Sequence, residues 1–346
     1  MTSETAQQSL GSDLAPALAN NAAVMGRFME GLSRAPRPPE RVDPAPVRVV
    51  RDIVFSTPPG AEGRTELRMD LYLPQSAPAP APVIVWLPGG GWRAQRRGQG
   101  PQLQRLFAER GYAMADIEYR SSEVSPWPAQ LHDVIAALRH LHDIADTHGL
   151  DPASIGLWGS SAGAHLALLA AFAGDAEGSP DTDGSLVAPG VRAVVAGYPP
   201  TDLLHLNDDS LPGGVLGVDP SDPAWGLLGG RPSERAATAV GASPARQVHP
   251  RVPPVLLLHG DADLLIGPAQ SRRLHDALIA AGAESHLLLV HGADHGFLNT
   301  GDWELNPMTA TVLSSRAPES EGSVLLTPAL IERFFDRHLR TDPWHA

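Results

Sequence analysis

The 346-residue sequence contains no cysteine and no lysine, so all 26 of its basic residues are arginine. The absence of cysteine excludes thiol nucleophiles, disulfides, iron–sulfur clusters and cysteine-based zinc sites. The absence of lysine excludes Schiff-base catalysis and the Walker-A lysine of P-loop proteins. Covalent or acid–base chemistry must therefore come from Ser, Thr, His, Asp, Glu, Tyr or a bound metal.

Positive charge and long apolar runs are also scarce. The formal net charge is −13, which argues against a nucleic-acid partner because phosphate backbones are bound by basic surfaces. The longest nearly apolar run, at residues 166–174, is too short for a membrane-spanning helix. Residues 1–12 lack the basic and apolar parts of a signal peptide. We therefore expect a cytoplasmic protein with no membrane span and no nucleic-acid partner.

The first 46 residues differ in composition from the rest of the chain. Apolar residues recur at spacings of three and four from Leu14 to Leu32, which is typical of an amphipathic helix. Five prolines follow between residues 33 and 46. We predict that residues 1–46 form a helical extension with a stiff connector. Two interpretations stay open, a helix packed on the body of the protein and a cap over a pocket.

Residues 47–340 alternate short apolar segments with amphipathic ones, which predicts a mostly parallel sheet with helices on both faces. Segment 66–73 alternates apolar and polar residues strictly, so we predict an antiparallel, half-exposed strand in this N-terminal part. Segments 207–245 and 299–326 are irregular and are predicted to be insertions, the first either a lid or a surface loop. Strands are predicted at 47–55, 66–73, 83–87, 113–117, 154–158, 191–196, 255–258 and 286–290, and helices at 102–109, 129–147, from about 161, 268–281 and 328–339.

A G-x-S-x-G motif, GSSAG, occupies residues 159–163 between a predicted strand and a predicted helix. In this context the motif predicts a sharp turn that presents its central serine, Ser161, as a nucleophile. The glycines let the strand and the helix approach closely, and the helix N-terminus supplies partial positive charge where an oxyanion forms. The alternative is that Ser161 only caps the helix.

A nucleophilic serine needs a histidine base and an acid that orients the histidine. With this motif the acid and then the histidine follow the serine along the chain, in loops that come after strands. The segments after two predicted strands supply Asp263 and His295, which we predict to be the acid and the base. Asp261 and His291 are the competing candidates.

A glycine-rich segment, LPGGGW, follows another predicted buried strand. We predict that the main-chain N–H groups of Gly90 and Gly91, together with that of Ala162, bind a substrate oxyanion. An ordinary glycine turn is the alternative. Trp92 and Trp225 are predicted to line the substrate pocket, because aromatic side chains supply apolar area with few rotamers.

With these residues in place, the chain resembles the α/β-hydrolase fold carboxylesterases over about residues 48–340. The likeness is to the hormone-sensitive-lipase-like esterases and, more closely, to the bacterial feruloyl-esterase-like or acetyl-esterase-like group. The resemblance implies the α/β-hydrolase fold and ester hydrolysis by Ser161, His295 and Asp263. The family's oxyanion motif usually begins with histidine, where this chain has Pro88. The segments that carry the likeness are EYR at 118–120, PAQLHDV at 128–134, GLDP at 149–152, GSSAGAHLA at 159–167 and YPPTDL at 198–203.

We therefore expect a serine hydrolase that cleaves a carboxylic ester of a small-molecule substrate through an acyl-enzyme, with no cofactor and no metal. Hydrolysis of an amide or formamide, as in kynurenine formamidases, or of a lactone or carbonate would use the same intermediate and stays open. A metal site at His291, His295 and nearby aspartates is disfavoured, because Gly292 opposes the helix that this spacing requires. A non-catalytic binding protein is disfavoured because no member of the triad is missing. The oligomeric state is open, a homodimer included.

Overall fold

The computed structural model of the chain describes residues 46–60, 63–64, 66–75, 80–102, 107–173, 190–214, 222–299, 302–315 and 322–340. The predicted N-terminal extension and connector lie outside the described residues, except for residue 46. The helix predicted at 102–109 and the segment 207–245 are described only in part.

The described elements alternate between strands and helices along most of the chain. The strands are β1 (Val47–Ser56), β2 (Pro59–Gly60), β3 (Gly63–Arg64), β4 (Leu67–Pro74), β5 (Ala81–Leu87), β6 (Ala113–Ile117), β7 (Leu150–Ser160), β8 (Val191–Gly197), β9 (Val255–Gly260), β10 (Ser285–Val290), β11 (Met308–Ser314) and β12 (Gly322–Leu326). The helices are α1 (Ala129–Asp143), α2 (Ala145–His148), α3 (Ala162–Phe172), α4 (Pro223–Leu228), α5 (Ala236–Gly241), α6 (Ala269–Ala280), α7 (Asp302–Leu305) and α8 (Pro328–Leu339).

Ten of the strands form one sheet in the order β1-β4-β6-β5-β7-β8-β9-β10-β11-β12. The strands from β6 to β10 in this order are parallel, and β1 and β4 are antiparallel to their neighbours. The predicted mostly parallel sheet with an antiparallel N-terminal part is therefore confirmed.

Two parts of the sheet differ from the sequence predictions. Segment 299–326, predicted to be irregular, contains the antiparallel strands β11 and β12, so that prediction was wrong. The side chains of β11 are mostly half-buried, and its mixed Thr and Ala sequence shows no clear alternation. In β4 the face predicted to be exposed carries Asp70, which is buried because its carboxylate accepts hydrogen bonds from Arg97 and from the main-chain N–H of Asp52.

Both faces of the sheet are covered by buried apolar side chains. On one face α1, α3 and α6 pack over the central strands. On the other face α8 packs on a cluster that includes Trp86 and Trp158, whose rings meet edge to face at 5.0 Å. A Cβ atom on Gly156 would lie 2.6 Å from the Phe335 ring, so this glycine allows α8 to sit directly on β7. The prediction of helices on both faces is confirmed.

The loops that carry the candidate residues all leave the sheet at one edge. LPGGGW begins at the end of β5, Ser161 follows β7, Asp263 follows β9 and His295 follows β10. Since the carboxyl ends of parallel strands share one edge of a sheet, these loops are neighbours. None of the helices in the described ranges is long and apolar enough to cross a membrane.

Candidate active site

Ser161 lies at the sharp turn between β7 and α3. Its backbone has φ 52° and ψ −120°, a conformation that side-chain-bearing residues rarely adopt. Its main-chain N–H donates to the carbonyl of Gly197 at 2.8 Å, which fixes the turn against the end of β8. The residue is only 8% exposed. The turn therefore holds the serine side chain at the edge of the sheet in a single, strained arrangement.

Two glycines make this turn sterically possible. A Cβ atom on Gly159 would lie 2.5 Å from the carbonyl carbon of Gly163, and a Cβ on Gly163 would lie 2.0 Å from the carbonyl oxygen of Leu87. These distances are far below van der Waals contact. The close packing of β5, β7 and the first turn of α3 thus requires glycine at both positions.

The structure brings Ser161, His295 and Asp263 together. Ser161 Oγ lies 3.0 Å from His295 Nε2, and His295 Nδ1 lies 2.7 Å from Asp263 Oδ2. The other carboxylate oxygen of Asp263 accepts hydrogen bonds from the main-chain N–H groups of Leu265 and Ile266, at 2.9 and 2.8 Å. The acid is thereby fixed from two sides.

Asp263 has a second histidine beside it. His259 is fully buried, and its Nε2 lies 3.4 Å from Asp263 Oδ2 and 2.8 Å from the carbonyl of Ile266. Its Nδ1 lies 2.7 Å from Ser271 Oγ. Burial alone would raise the pKa of Asp263, but His295 and His259 outweigh it and hold the pKa well below its usual range. The buried acid is therefore ionised at neutral pH.

The competing candidates have other partners. The Asp261 side chain accepts a hydrogen bond from the main-chain N–H of Gly292 at 2.7 Å. The exposed His291 lies 2.8 Å from the hydroxyl of Thr311. Asp294 accepts from the main-chain N–H of His295 at 2.7 Å. Across the described ranges, no three His, Asp or Glu side chains converge as they would around a metal ion.

The glycine loop after β5 packs against the serine turn. A Cβ on Gly89 would lie 3.2 Å from the Cβ of Ser161, and Gly90 and Gly91 have φ values of 131° and 59°. The main-chain N–H groups of Gly90, Gly91 and Ala162 donate no hydrogen bond to another described residue. The predicted role of these three N–H groups in binding an oxyanion requires donors that are not already engaged, and it stays a prediction.

Pro88, the first residue after β5, is fixed through its carbonyl. The hydroxyl of the buried Tyr119 donates to the Pro88 carbonyl oxygen at 2.6 Å. Tyr119 and the following residues also line a cavity of about 460 Å³ beside the glycine loop, together with Gln95, Arg96 and others. The carbonyl of Pro88 is thus bound by a side chain that also lines this cavity.

The two tryptophans predicted to contact substrate lie in different surroundings. Trp92 is buried, and its indole N–H donates to Nδ1 of His165 at 3.2 Å. Burial lowers the pKa of His165 to about 4, so its ring is neutral and donates from Nε2 to the carbonyl of Ala242. Trp225 is half-buried, with the Arg231 guanidinium 4.9 Å from its ring. A role of either indole in substrate binding stays a prediction.

Sequence reasoning did not single out Tyr198 as part of the site. Its ring lies 4.6 Å from the imidazole of His295, measured between ring centroids. It directly follows the carboxyl end of β8, in the same way that Ser161 follows β7. Placing every residue that follows a parallel strand at one edge of the sheet would have found it.

Comparison with known proteins gives a consistent family. Residues 69–278, more than half of the chain, match the model of the BD-FAE family. This range includes Ser161 and Asp263, and His295 lies beyond it.

Individual relatives are esterases by name. The chain is 32% identical to esterase LipQ of Mycobacterium tuberculosis over 69% of this chain and 56% of LipQ. It is 28% identical to a probable isoprenylcysteine alpha-carbonyl methylesterase of Oryza sativa subsp. japonica over 81% of this chain and 66% of that protein. A truncated carbohydrate esterase from gut microbiota has a TM-score of 0.63 and 26% identity, over 75% of this chain and 92% of that one. The chain thus spans between half and two thirds of these two curated relatives.

Proposed function

The chain belongs to the BD-FAE family of α/β-hydrolases, and on this basis we propose that it is a serine hydrolase that cleaves a carboxylic ester through an acyl-enzyme. The observation that carries the proposal is the buried, hydrogen-bonded array of Ser161, His295 and Asp263. Its distances are those required of a nucleophile, a base and an acid. The esterase names of its relatives support the same reaction class.

In the acylation step, Ser161 Oγ attacks the carbonyl carbon of the ester while Nε2 of His295 takes the hydroxyl proton. The carbonyl oxygen becomes an oxyanion and accepts hydrogen bonds from the N–H groups of Gly90, Gly91 and Ala162. The tetrahedral intermediate then collapses, the bond to the alcohol oxygen breaks, and His295 returns its proton to that oxygen. Water repeats the sequence on the acyl-enzyme and releases the carboxylic acid.

Asp263 makes this proton transfer possible by fixing the histidine. As an ionised carboxylate it accepts the Nδ1–H of His295, which leaves the lone pair of Nε2 facing Ser161. It also stabilises the imidazolium that forms when the serine proton is transferred. Because its other oxygen is held by two main-chain N–H groups, the carboxylate keeps this orientation through the reaction.

The type of ester and the bond cleaved are addressed by a substrate panel. Relatives carry names that specify a methyl ester and a carbohydrate ester. The panel therefore compares kcat/KM for p-nitrophenyl esters of increasing acyl length, a methyl ester, an aromatic acyl ester and an acetylated sugar. A formamide, a lactone and a carbonate are included, and we expect the esters to be hydrolysed fastest.

The decisive test is Ser161→Ala. We expect p-nitrophenyl acetate turnover to fall by about 10⁴-fold or more, and labelling by a fluorophosphonate probe to disappear, with the circular dichroism spectrum unchanged. Ser233→Ala, which alters an exposed serine, is the matched control and keeps both signals. A Ser161→Ala protein that still hydrolyses the ester or still takes the label would refute the proposal. Wild-type activity that a strong chelator abolishes would instead favour a metal site.

A further inference from the structure

Backbone strain in the described chain is concentrated at the candidate site. Four described residues other than glycine have positive φ, namely Asp52 at 60°, Trp92 at 58°, Ser161 at 52° and Tyr198 at 39°. For a bulky side chain such a conformation is a true outlier, and strain of this kind persists only where the surrounding structure enforces it, often at active sites. Ser161 is the proposed nucleophile and Trp92 belongs to the glycine loop. Tyr198 has no role in the mechanism given so far.

Tyr198 is held firmly between the serine turn and the base. It is fully buried, and its main-chain N–H donates to the carbonyl of Leu258 at 2.7 Å. The residue before it, Gly197, accepts the hydrogen bond from the N–H of Ser161. The Tyr198 hydroxyl lies beside Ser160. The strained backbone thus places the ring at a fixed position relative to both halves of the site.

The ring of Tyr198 lies against the imidazole of His295. The centroids are 4.6 Å apart with 59° between the ring planes, and Phe297 packs on the tyrosine at 5.2 Å. An aromatic ring within about 6 Å attracts a cation through its electron-rich face. The imidazole is neutral before the reaction and carries a positive charge once it has taken the serine proton. The attraction is therefore strongest when the transition state forms.

The charged and titratable groups around His295 come from several loops. Asp263 reaches Nδ1 from the loop after β9, and His259 stands behind that carboxylate. The carboxylate of Asp294, in the loop after β10 that also carries His295, accepts a hydrogen bond from the main-chain N–H of His295. Tyr198 contributes from the end of β8 an uncharged surface that is polarisable and excludes water. Burial raises the pKa of its hydroxyl above its usual value, which favours the neutral form.

We propose that Tyr198 is a positioning residue, which orients the imidazole of His295 and stabilises its protonated form through ring contact. This inference rests on the proposed function, in which His295 is the base. It concerns the aromatic ring and not the hydroxyl. It therefore distinguishes two variants, Tyr198→Phe, which keeps the ring, and Tyr198→Leu, which removes it.

The experiment measures kcat and kcat/KM for p-nitrophenyl acetate against pH in the full chain. The base must be neutral in the free enzyme, so activity rises with pH along an acid limb. A ring that stabilises the protonated form keeps this limb at higher pH, and removing the ring moves it to lower pH. For Tyr198→Leu we expect a shift of about 0.5–1 pH unit to lower pH and a fall in plateau kcat of roughly 10-fold. Tyr198→Phe should keep the wild-type limb and a kcat within about threefold of wild type.

Two results would overturn the proposal. If the acid limb of Tyr198→Leu is not shifted, whatever its kcat, the ring only fills space and does not stabilise the protonated imidazole. If Tyr198→Phe shows the same shift of the acid limb and the same fall in kcat as Tyr198→Leu, the effect belongs to the hydroxyl and not to the ring. If the leucine variant does not fold, Tyr198→Met carries the same readout, because its flexible side chain fills irregular space. Phe107→Leu, which removes a buried ring in the core on one face of the sheet, controls for general loss of packing and should leave the limb unmoved.

Fluorophosphonate labelling separates this inference from the proposed function. A wild-type protein that takes no label at Ser161 contradicts the mechanism itself. A wild-type protein that labels, combined with an unshifted Tyr198→Leu variant, contradicts only the role of Tyr198.

Discussion

The two halves of the site are built by different forces. The half that carries Ser161 is made by main-chain contacts, in which glycines allow strands, loop and helix to approach within distances that any Cβ would violate. The half that carries Asp263 and His295 is made by side-chain hydrogen bonds, with His259 and two main-chain N–H groups around the acid. An added Cβ that overlaps main-chain atoms forces the whole turn to shift, whereas a single hydrogen bond can be removed while the surrounding packing stays in place. We therefore expect substitutions of the glycines around Ser161 to affect folding, and substitutions of the hydrogen-bonding side chains around His295 to affect catalysis.

The largest effect on folding stability is expected from Gly163→Ala. The new Cβ would lie 2.0 Å from the carbonyl oxygen of Leu87, and the three nearest atoms all belong to the main chain, which cannot rotate away as a side chain can. We expect a loss of more than about 3 kcal/mol in the free energy of unfolding, beyond the usual range for overpacking, measured by urea titration. Gly241→Ala is the control, because a Cβ there meets nothing within 4 Å and the φ is ordinary. Gly241→Ala should be neutral or stabilising by up to about 1 kcal/mol. A Gly163→Ala protein as stable as wild type would contradict the claim that close main-chain contacts require glycine at this turn.

Asp263→Asn tests the hydrogen-bonded half. An amide can donate to Nδ1 and so favours the wrong tautomer of His295, and we expect kcat to fall by about 10⁴-fold while the protein stays folded. Asp261→Asn changes the competing acid, whose side chain accepts a hydrogen bond from the main-chain N–H of Gly292, and should stay within about tenfold of wild type. Steady-state kinetics on both variants decides between the two aspartates. The reverse ranking would assign the acid to Asp261.

The smallest effect is expected on the pH dependence of stability and comes from Glu304. This residue lies in α7, the helix that follows the loop carrying His295. Burial raises the pKa of its carboxyl to about 7, and its Oε1 has no hydrogen-bond partner among the described residues. The folded state therefore holds the proton more tightly than the unfolded state, so the free energy of unfolding falls as pH rises from about 4.5 to 7. The group is half-buried, so solvent screening reduces the effect to about 1 kcal/mol.

Glu304→Gln removes this titration and leaves the proposed catalytic groups unchanged. It therefore separates an effect of pH on stability from an effect on catalysis. Thermal unfolding at pH 8 should show a higher midpoint than wild type, and at pH 5 the two proteins should agree. Equal midpoints at both pH values would show that the carboxyl is solvated in the folded state.

Much of the parallel sheet could be predicted from the sequence. The strands β5 and β6 are covered on both faces and appear as short apolar runs, and their predicted positions overlap the observed ones. The serine turn was predictable for a different reason, because close main-chain approach restricts residues 159 and 163 to glycine. The neighbourhood of Asp263 and His295 follows from topology, since β9 and β10 are adjacent and parallel. Their catalytic roles stay predictions.

Features that depend on distant partners could not be predicted. β11 becomes a strand by pairing with β10, and its own sequence has little periodicity. Asp70 is buried because Arg97, which is remote in sequence, reaches it. Strand topology would have placed Tyr198 at the same sheet edge as His295, but the contact between their rings depends on a positive φ that leaves no trace in residue type. Each depends on three-dimensional placement that local pattern does not encode.

The packing of α8 on β7 has a consequence for how the protein is made. The Phe335 ring occupies the space left open by Gly156, and the hydroxyl of Tyr112 donates to Asp336 at 2.6 Å. A nascent chain emerging from the ribosome thus lacks the cover for one face of its central strands until residues 328–339 have been synthesised. Until then, the apolar side chains on that face stay accessible to chaperones and to self-association.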